Sequence, residues 1–95
     1  MGDNVLILFK KSKKLKLFNN QLDDNNIIYK KESNLPFYNY TFKMQNINKI
    51  MYYILYNNLI IENEEFFIKL YFKHNKLSDN EKDEYMRMQF KRFGK

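Results

Sequence analysis

The chain opens with a continuous apolar run at residues 5–9. A run of this length without a polar face is typical of a strand that is covered on both sides of its sheet. A polar turn at residues 11–13 follows, and in residues 15–18 Leu15 and Leu17 share one face at the period of a strand. The pattern therefore predicts a β-hairpin at the start of the chain.

The middle of the chain alternates between loop and element patterns. Residues 19–26 are rich in Asn and Asp, which form their own backbone-bonding turns, and are predicted to be a loop. Residues 27–30 and 37–42 are short apolar or aromatic stretches on either side of Pro36, and we predict a third and a fourth strand there. Both strands would belong to the same sheet as the hairpin.

After residue 46 the period of the apolar positions changes from that of a strand to that of a helix. The positions follow the i, i+3, i+4, i+7, i+8 spacing of one helical stripe and comprise Ile47, Ile50, Met51, Ile54 and Leu55. Asn46 or Asn48 would cap the start of this helix, and Asn57 with Asn58 would end it, because Asn tolerates the left-handed conformation. The pattern predicts the first of two helices.

The final third of the chain predicts one more strand and a second helix. Residues 66–73 fit strict alternation, with Phe66, Ile68, Leu70 and Phe72 on one face. Ser78 and Glu81 form the spacing of a capping box at the start of the last helix, and Gly94 is predicted to stop that helix. The expected order is ββββαβα. This is a single small α+β domain over residues 1–95, with a mostly antiparallel sheet of four to five strands and two helices.

The composition limits what can be concluded from residue counts. The chain has no Ala, Cys or Trp, and its abundant Lys, Asn, Ile, Phe and Tyr have A/T-rich codons, which indicates an A/T-rich genome. Arrangement is therefore more informative than abundance. The absence of Cys fits an intracellular compartment, cytoplasmic or nuclear, in a host cell if the protein is viral. No apolar run approaches the roughly 20 residues that a transmembrane helix needs.

The residues that catalysis would require are poorly represented. His74 is the only histidine, and none of the three serines lies in the context of an activated nucleophile. Glycine occurs only at positions 2 and 94, so a glycine-rich phosphate loop is excluded. The acidic clusters lack the spacing of a calcium loop. We therefore expect no enzymatic activity, no cofactor and no metal site.

The net charge of +6 favours acidic partners, namely nucleic acid or an acidic protein surface. Five lysines crowd the tip of the predicted hairpin, at Lys10, Lys11, Lys13, Lys14 and Lys16. Such a cluster suits phosphate groups, and each phosphate it neutralises makes binding more sensitive to salt. The alternative is a solvated turn whose lysines protect a sheet edge from aggregation.

Two further basic surfaces are candidates for the same role. On the 66–73 strand, Lys69, Tyr71 and Lys73 would share an outer face that interleaves cations with an aromatic ring, as in sheets that bind single-stranded RNA. A helix covering this face is the alternative. On the last helix, Arg87 and Lys91 lie one turn apart and would track a phosphate backbone. Complementation of the helix dipole explains them equally well.

The first predicted helix carries a second stripe opposite its apolar face, formed by Lys49, Tyr52, Tyr53 and Tyr56. Tyrosine gives a large contact area with a polar tip, which suits a protein interface or a homodimer. Burial of these rings against the last helix or the 37–42 strand is the alternative.

Two functions follow from these surfaces. The first is a non-enzymatic basic binding module that docks through Lys, Arg and Tyr side chains onto nucleic acid or a complex that handles nucleic acid. The alternative is a structural or inhibitory protein–protein interaction module, such as a viral or phage inhibitor or a small complex subunit, that docks through the tyrosine stripe. Salt separates them, because phosphate contacts weaken steeply as salt rises.

Overall fold

The computed structural model describes residues 3–93, and side chains as far as residue 87. The elements run in the order β1 (Asn4–Lys10), α1 (Lys14–Asp24), β2 (Tyr29–Asn34), β3 (Phe37–Lys43), one turn of 3-10 helix (Met44–Asn46), α2 (Ile47–Asn57), α3 (Glu64–Asn75) and α4 (Asp79–Phe93). Over these residues the chain is a small α+β domain with a three-stranded sheet and four α-helices.

The sheet is antiparallel, with β3 between β1 and β2. On one side of β3 the register runs from Asn4 opposite Lys43 to Lys10 opposite Phe37. On the other side β2 pairs with the same strand, and its last residue, Asn34, also lies opposite Phe37. A turn containing the cis Leu35–Pro36 peptide bond joins β2 to β3. Residues 34, 10 and 37 therefore lie together at one end of the sheet.

The hydrophobic core lies on one face of the sheet, under α1 and α2. The buried sheet residues alternate along the strands, as the strand period requires, and are Val5, Ile7, Phe9, Tyr40 and Phe42. The helices contribute Leu15, Phe18 and Leu22 from α1 and Ile47, Ile50, Met51 and Ile54 from α2. The Phe9 and Phe18 rings pack at a tilt with centroids 5.1 Å apart, and the Tyr40 and Phe42 rings are stacked on each other.

The prediction of four to five strands and two helices is wrong, and the first error lies at residues 15–24. These residues form α1 rather than a strand and a loop. Leu15, Phe18 and Leu22 are all buried and follow the i, i+3, i+7 spacing of a helix, so the polar residues between them are the solvated face of α1. The third strand also begins two residues later than predicted and extends to Asn34.

The second error concerns residues 66–73, which lie in α3 rather than in a strand. Phe67 is buried, Ile68 and Tyr71 are half-buried, and Phe66 is exposed, which is a helical distribution rather than an alternating one. The run of apolar residues fits both periods, so alternation alone could not separate them. The charges do separate them, because Glu64 and Glu65 open the helix and Lys73 and His74 close it.

Other predictions are confirmed. The apolar run at residues 5–9 lies in β1, and residues 37–42 lie in β3. The prediction that the first strand is covered on both sides is wrong, because burial alternates along β1 and Leu6 is 44% exposed. Helix α2 ends at Asn58, whose φ of 53° is left-handed. The capping box of α4 is present, since the amide of Ser78 donates to Glu81 Oε1 at 2.8 Å and the amide of Glu81 donates to Ser78 Oγ at 3.2 Å. The prediction that Gly94 stops this helix lies outside the described residues.

Candidate nucleic-acid interface

The five clustered lysines lie around the start of α1, not at the tip of a hairpin. Lys10 ends β1, Lys11 follows it, Lys13 immediately precedes α1, and Lys14 and Lys16 belong to the first turn of the helix. All five side chains are exposed. The prediction of a hairpin is wrong, but the structure keeps these cations together, because the chain turns sharply from β1 into α1.

The backbone at the start of α1 is already hydrogen-bonded locally. The amide of Lys14 donates to Ser12 Oγ at 3.1 Å, and the amide of Leu15 donates to the Ser12 carbonyl at 3.1 Å. The amide of Lys16 donates to the Lys13 carbonyl at 3.3 Å. These three N–H groups are therefore occupied, so the lysine ammonium groups, rather than these amides, would donate hydrogen bonds to an anion.

The lysines stand at the end of a helix where cations are unfavourable. A helix N-terminus carries partial positive charge, so each exposed cation in the first turn costs roughly 0.3–1 kcal/mol. The first turn of α1 contains no acidic residue, whereas α3 begins with Glu64 and Glu65, and α4 has Asp79 and Glu81 in its first turn. The chain thus follows the dipole rule in α3 and α4 and breaks it in α1.

A recess lies beside this cluster, between α1 and the sheet. Its volume is about 460 Å³, and its lining residues are Lys11, Ser12, Lys13, Leu15, Lys16, Asn19, Lys31 and Tyr38. We call this cavity the basic recess. Four of its eight lining residues are lysines and none is acidic, so its electrostatic potential favours an anion.

Sequence reasoning missed Ser12, Leu15, Asn19, Lys31 and Tyr38 as lining residues, and of these Lys31 and Tyr38 lie far from the lysine cluster in sequence. They lie on β2 and β3, and the register places Lys31 opposite Tyr40 and therefore diagonal to Tyr38 on the same face. The Lys31 Nζ atom is 4.8 Å from the centroid of the Tyr38 ring. This is the distance of a cation–π contact. Only the strand pairing brings these residues to α1, so no local pattern could have identified them.

A second, more open cavity of about 680 Å³ adjoins the first. It is lined by Asp23, Asn26, Ile27, Ile28, Tyr29 and Lys31. Lys31 lines both cavities, so the pair follows the boundary between α1 and β2. Burial and, to a smaller extent, the nearby Asp23 carboxylate raise the pKa of Tyr29. Because its lining contains one lysine and the acidic Asp23, this second cavity is the less cationic of the two.

The other predicted basic surfaces differ from expectation. Lys69 and Lys73 are exposed one turn apart on α3, but Tyr71 lies on another side of the helix and packs against Tyr85, with ring centroids 5.2 Å apart. The predicted face that alternates cations with an aromatic ring does not exist, because the segment is helical. Arg87 is exposed on α4, and the side chain of Lys91 lies outside the described residues.

The tyrosine stripe of α2 is partly exposed. Tyr52 and Tyr56 are 61% and 63% exposed, and their rings are stacked with centroids 6.1 Å apart. Lys49 is exposed beside them. Tyr53 is half-buried and packs edge to face on Tyr52 at 5.5 Å. The stripe therefore presents two rings to solvent rather than three.

Within residues 3–93, no group of three or more His, Cys, Asp and Glu side chains is placed to hold a metal ion. Over the same part of the chain, none of the helices is sufficiently long and apolar to cross a membrane.

Comparison with known proteins gives no assignment. No protein-family model matches the chain, and neither the curated proteins nor the solved structures show a significant match to it.

Proposed function

We propose that this chain is a non-enzymatic binding module that docks on nucleic acid through the basic recess and the lysines around it. One observation carries the proposal: cations are gathered at the start of α1, where the helix dipole opposes them, and three of them line a cavity together with Lys31 and Tyr38. Codon bias explains an abundance of lysine in general. It does not explain why α3 and α4 receive acidic first turns while α1 receives lysines.

The chemistry of the cluster favours phosphate over base edges as its main contact. A lysine ammonium is a compact point charge with rotatable donors, and it lacks the planar fork with which arginine reads guanine. Phosphate contacts position a protein on nucleic acid without conveying sequence information. We therefore expect binding with weak sequence preference and strong dependence on salt.

The test measures the affinity for a fluorescently labelled oligonucleotide as salt is varied. If the four lysines of the recess each neutralise a phosphate of a single strand, the affinity should fall about 50-fold between roughly 50 and 200 mM salt. Lys16→Gln should weaken binding and reduce the slope of log K against log salt by about 0.7.

Lys43→Gln is the matched control, because it removes the same charge at the opposite end of β3. Its exposed side chain lies about 20 Å along the strand from the end nearest α1. Equal losses for Lys16→Gln and Lys43→Gln would show that only net charge matters. Failure to bind any oligonucleotide at low salt would refute the proposal.

The exposed rings of Tyr52 and Tyr56 favour a second candidate function, docking on a protein partner. Two stacked, exposed tyrosines give a rigid apolar contact with polar tips, as in interface hot spots. A partner captured from the native source should be lost with Tyr56→Ala and retained with Tyr56→Phe and with Lys16→Gln. Retention with Tyr56→Ala would refute this alternative. Sedimentation equilibrium of the purified chain tests whether the partner is a second copy.

A further inference from the structure

The Tyr38 ring occupies a distinctive position in the basic recess. It lies on the same face of β3 as the buried Tyr40, two residues along the strand, and is itself half-buried. The ring therefore extends the aromatic row of the core to the surface, at the point where α1 leaves the sheet uncovered. Lys11, Lys13 and Lys16 line the same cavity from the α1 side.

The size and lining of the recess suit one nucleotide. Its volume of about 460 Å³ lies within the range of small-molecule sites, which is roughly 300–1,000 Å³. An aromatic side chain can stack on any base, because every base presents a π-face, and lysines nearby can hold the adjoining phosphates. The recess thus combines a stacking surface with the cations that a nucleic-acid backbone requires.

A duplex cannot use this combination. Its bases are stacked on one another and paired, so a protein reaches only their edges in the grooves. An unpaired base can turn out of the strand and enter a concave site. Lys10 and Lys14 do not line the recess and lie on the outer surface, where they would contact the phosphates of single and double strands alike.

We infer that the basic recess binds single-stranded nucleic acid, with one unpaired base stacked on Tyr38 and the flanking phosphates held by Lys11, Lys13 and Lys16. The inference rests on the proposed function and names the substrate class of that site. Where a base stacks on the face of the Tyr38 ring that Lys31 covers, it displaces the Lys31 ammonium group from that ring. The ammonium group then contacts a phosphate. The exposed cation–π contact at 4.8 Å is weak enough for this exchange.

The experiment compares three probes of the same length with the unmodified protein: a labelled single strand, its duplex, and an abasic strand that keeps the phosphates but lacks bases. At equal salt we expect the single strand to bind at least 5-fold more tightly than either of the others. Loss of one stacked base corresponds to about 5- to 150-fold in affinity. The abasic strand separates stacking from charge without altering the protein.

Variants at position 38 then locate the base. Tyr38→Leu should weaken binding of the single strand by about 5- to 150-fold and leave binding of the abasic strand unchanged, whereas Tyr38→Phe should bind as the unmodified protein does. Tyr52→Leu is the control for loss of an exposed tyrosine elsewhere and should have no effect. Circular dichroism and thermal unfolding show whether each variant is folded. If Tyr38→Leu does not fold, the abasic strand still tests base stacking, because it is compared on the unmodified protein.

The outcomes distinguish failure of the single-strand inference from failure of the proposed function. Equal affinity for the single strand, the duplex and the abasic strand would overturn the inference and leave the proposed function standing. A normal affinity of Tyr38→Leu for the single strand would overturn it as well. Absence of binding to every probe at low salt would overturn the proposed function itself.

Discussion

The side chain of Asn63 hydrogen-bonds to the backbone of Leu8 in the way that a neighbouring strand would. Asn63 Oδ1 accepts from the Leu8 amide at 3.0 Å, and Asn63 Nδ2 donates to the Leu6 carbonyl at 2.8 Å. On the same edge of β1 the backbone of Ile60 accepts from Lys10 and that of Glu62 donates to Leu8. Residues 60–63 thus close the outer edge of β1, and the basic β2 forms the opposite edge of the sheet.

We expect Asn63→Ala to lower the free energy of unfolding by about 1–2 kcal/mol. The substitution leaves the half-buried Leu8 amide without its acceptor, and an unsatisfied donor costs about 1–3 kcal/mol, less where water can reach it. Urea denaturation measures the change. Asn63→Asp is the matched control, because it keeps the acceptor for Leu8 and loses only the donor to the Leu6 carbonyl. Its carboxylate at the start of α3 offsets part of that loss, so the total loss should be smaller. Equal stability of Asn63→Ala and the unmodified chain would show that these bonds contribute nothing.

The second prediction is that one charge reversal at the start of α1 stabilises the fold and weakens oligonucleotide binding. Lys14→Glu reverses an unfavourable charge in the first turn, so it should raise the free energy of unfolding by about 1 kcal/mol. That corresponds to roughly 4–8 °C in Tm for a domain of this size. The same substitution should weaken oligonucleotide binding, because it places a carboxylate beside the phosphates. Thermal unfolding and fluorescence anisotropy measure the two effects.

Glu65→Lys in the first turn of α3 provides the converse control. Glu65 is exposed and already complements the dipole, so this reversal should lower Tm, whereas Lys14→Glu raises it. Both shifts should shrink in high salt, because surface electrostatics are screened. A fall in Tm for Lys14→Glu would show that a lysine in the first turn of α1 does not destabilise the fold.

The two misassigned segments show what a sequence pattern can predict and where it stops. In α3 the residues from Phe66 to Phe72 are nearly all apolar, so burial alone did not distinguish a strand from a helix. The charges at both ends of α3 were the better guide, since they match a helix dipole and have no meaning for a strand. In α1 the i, i+3, i+7 spacing was present, but the Asn-rich residues between the apolar ones resembled a loop.

The candidate site was only half predictable for a different reason. Its lysines from residues 11–16 lie close together in the sequence, and this clustering is enough to identify them. Lys31 and Tyr38 reach the recess through the pairing of β2 with β3, which depends on the register of the whole sheet. Register is set by which face is buried, and that follows from tertiary packing rather than from either segment alone.

A third prediction concerns Tyr40 at high pH. Burial, with a smaller contribution from Tyr29, raises the pKa of Tyr40 from its ordinary value of 10.0 to about 12, although a hydrogen bond to Asn19 opposes the rise. Between these two pKa values the unfolded chain loses the proton and the folded chain keeps it. Stability should therefore be complete below about pH 10 and should fall by roughly 2–3 kcal/mol as pH approaches 12.

Urea denaturation at a series of alkaline pH values measures this decline. Tyr40→Phe has no ionisable hydroxyl at this position, so its decline should be clearly shallower than that of the unmodified chain. At neutral pH the variant loses the hydrogen bond to Asn19 and should be less stable by about 0.5–1.5 kcal/mol. Identical alkaline profiles for the two proteins would show that Tyr40 does not titrate with a raised pKa.

The last prediction concerns the capping box of α4. Hydrogen bonds from the backbone amide of Ser78 and then from its hydroxyl lower the pKa of Glu81 below 4.5. A carboxylate with a lowered folded-state pKa stabilises the fold above its unfolded pKa, and that contribution is lost as pH falls through the folded value. Acidification should therefore loosen the first turn of α4.

Ser78→Ala should raise the pKa of Glu81 only part of the way towards its ordinary value, since the backbone amide of residue 78 remains. The lost cap should lower the free energy of unfolding by about 1 kcal/mol. Carboxyl carbon shifts in an NMR titration report this pKa directly. A Glu81 pKa that is unchanged in Ser78→Ala would mean that the hydroxyl does not bond to the carboxylate in solution.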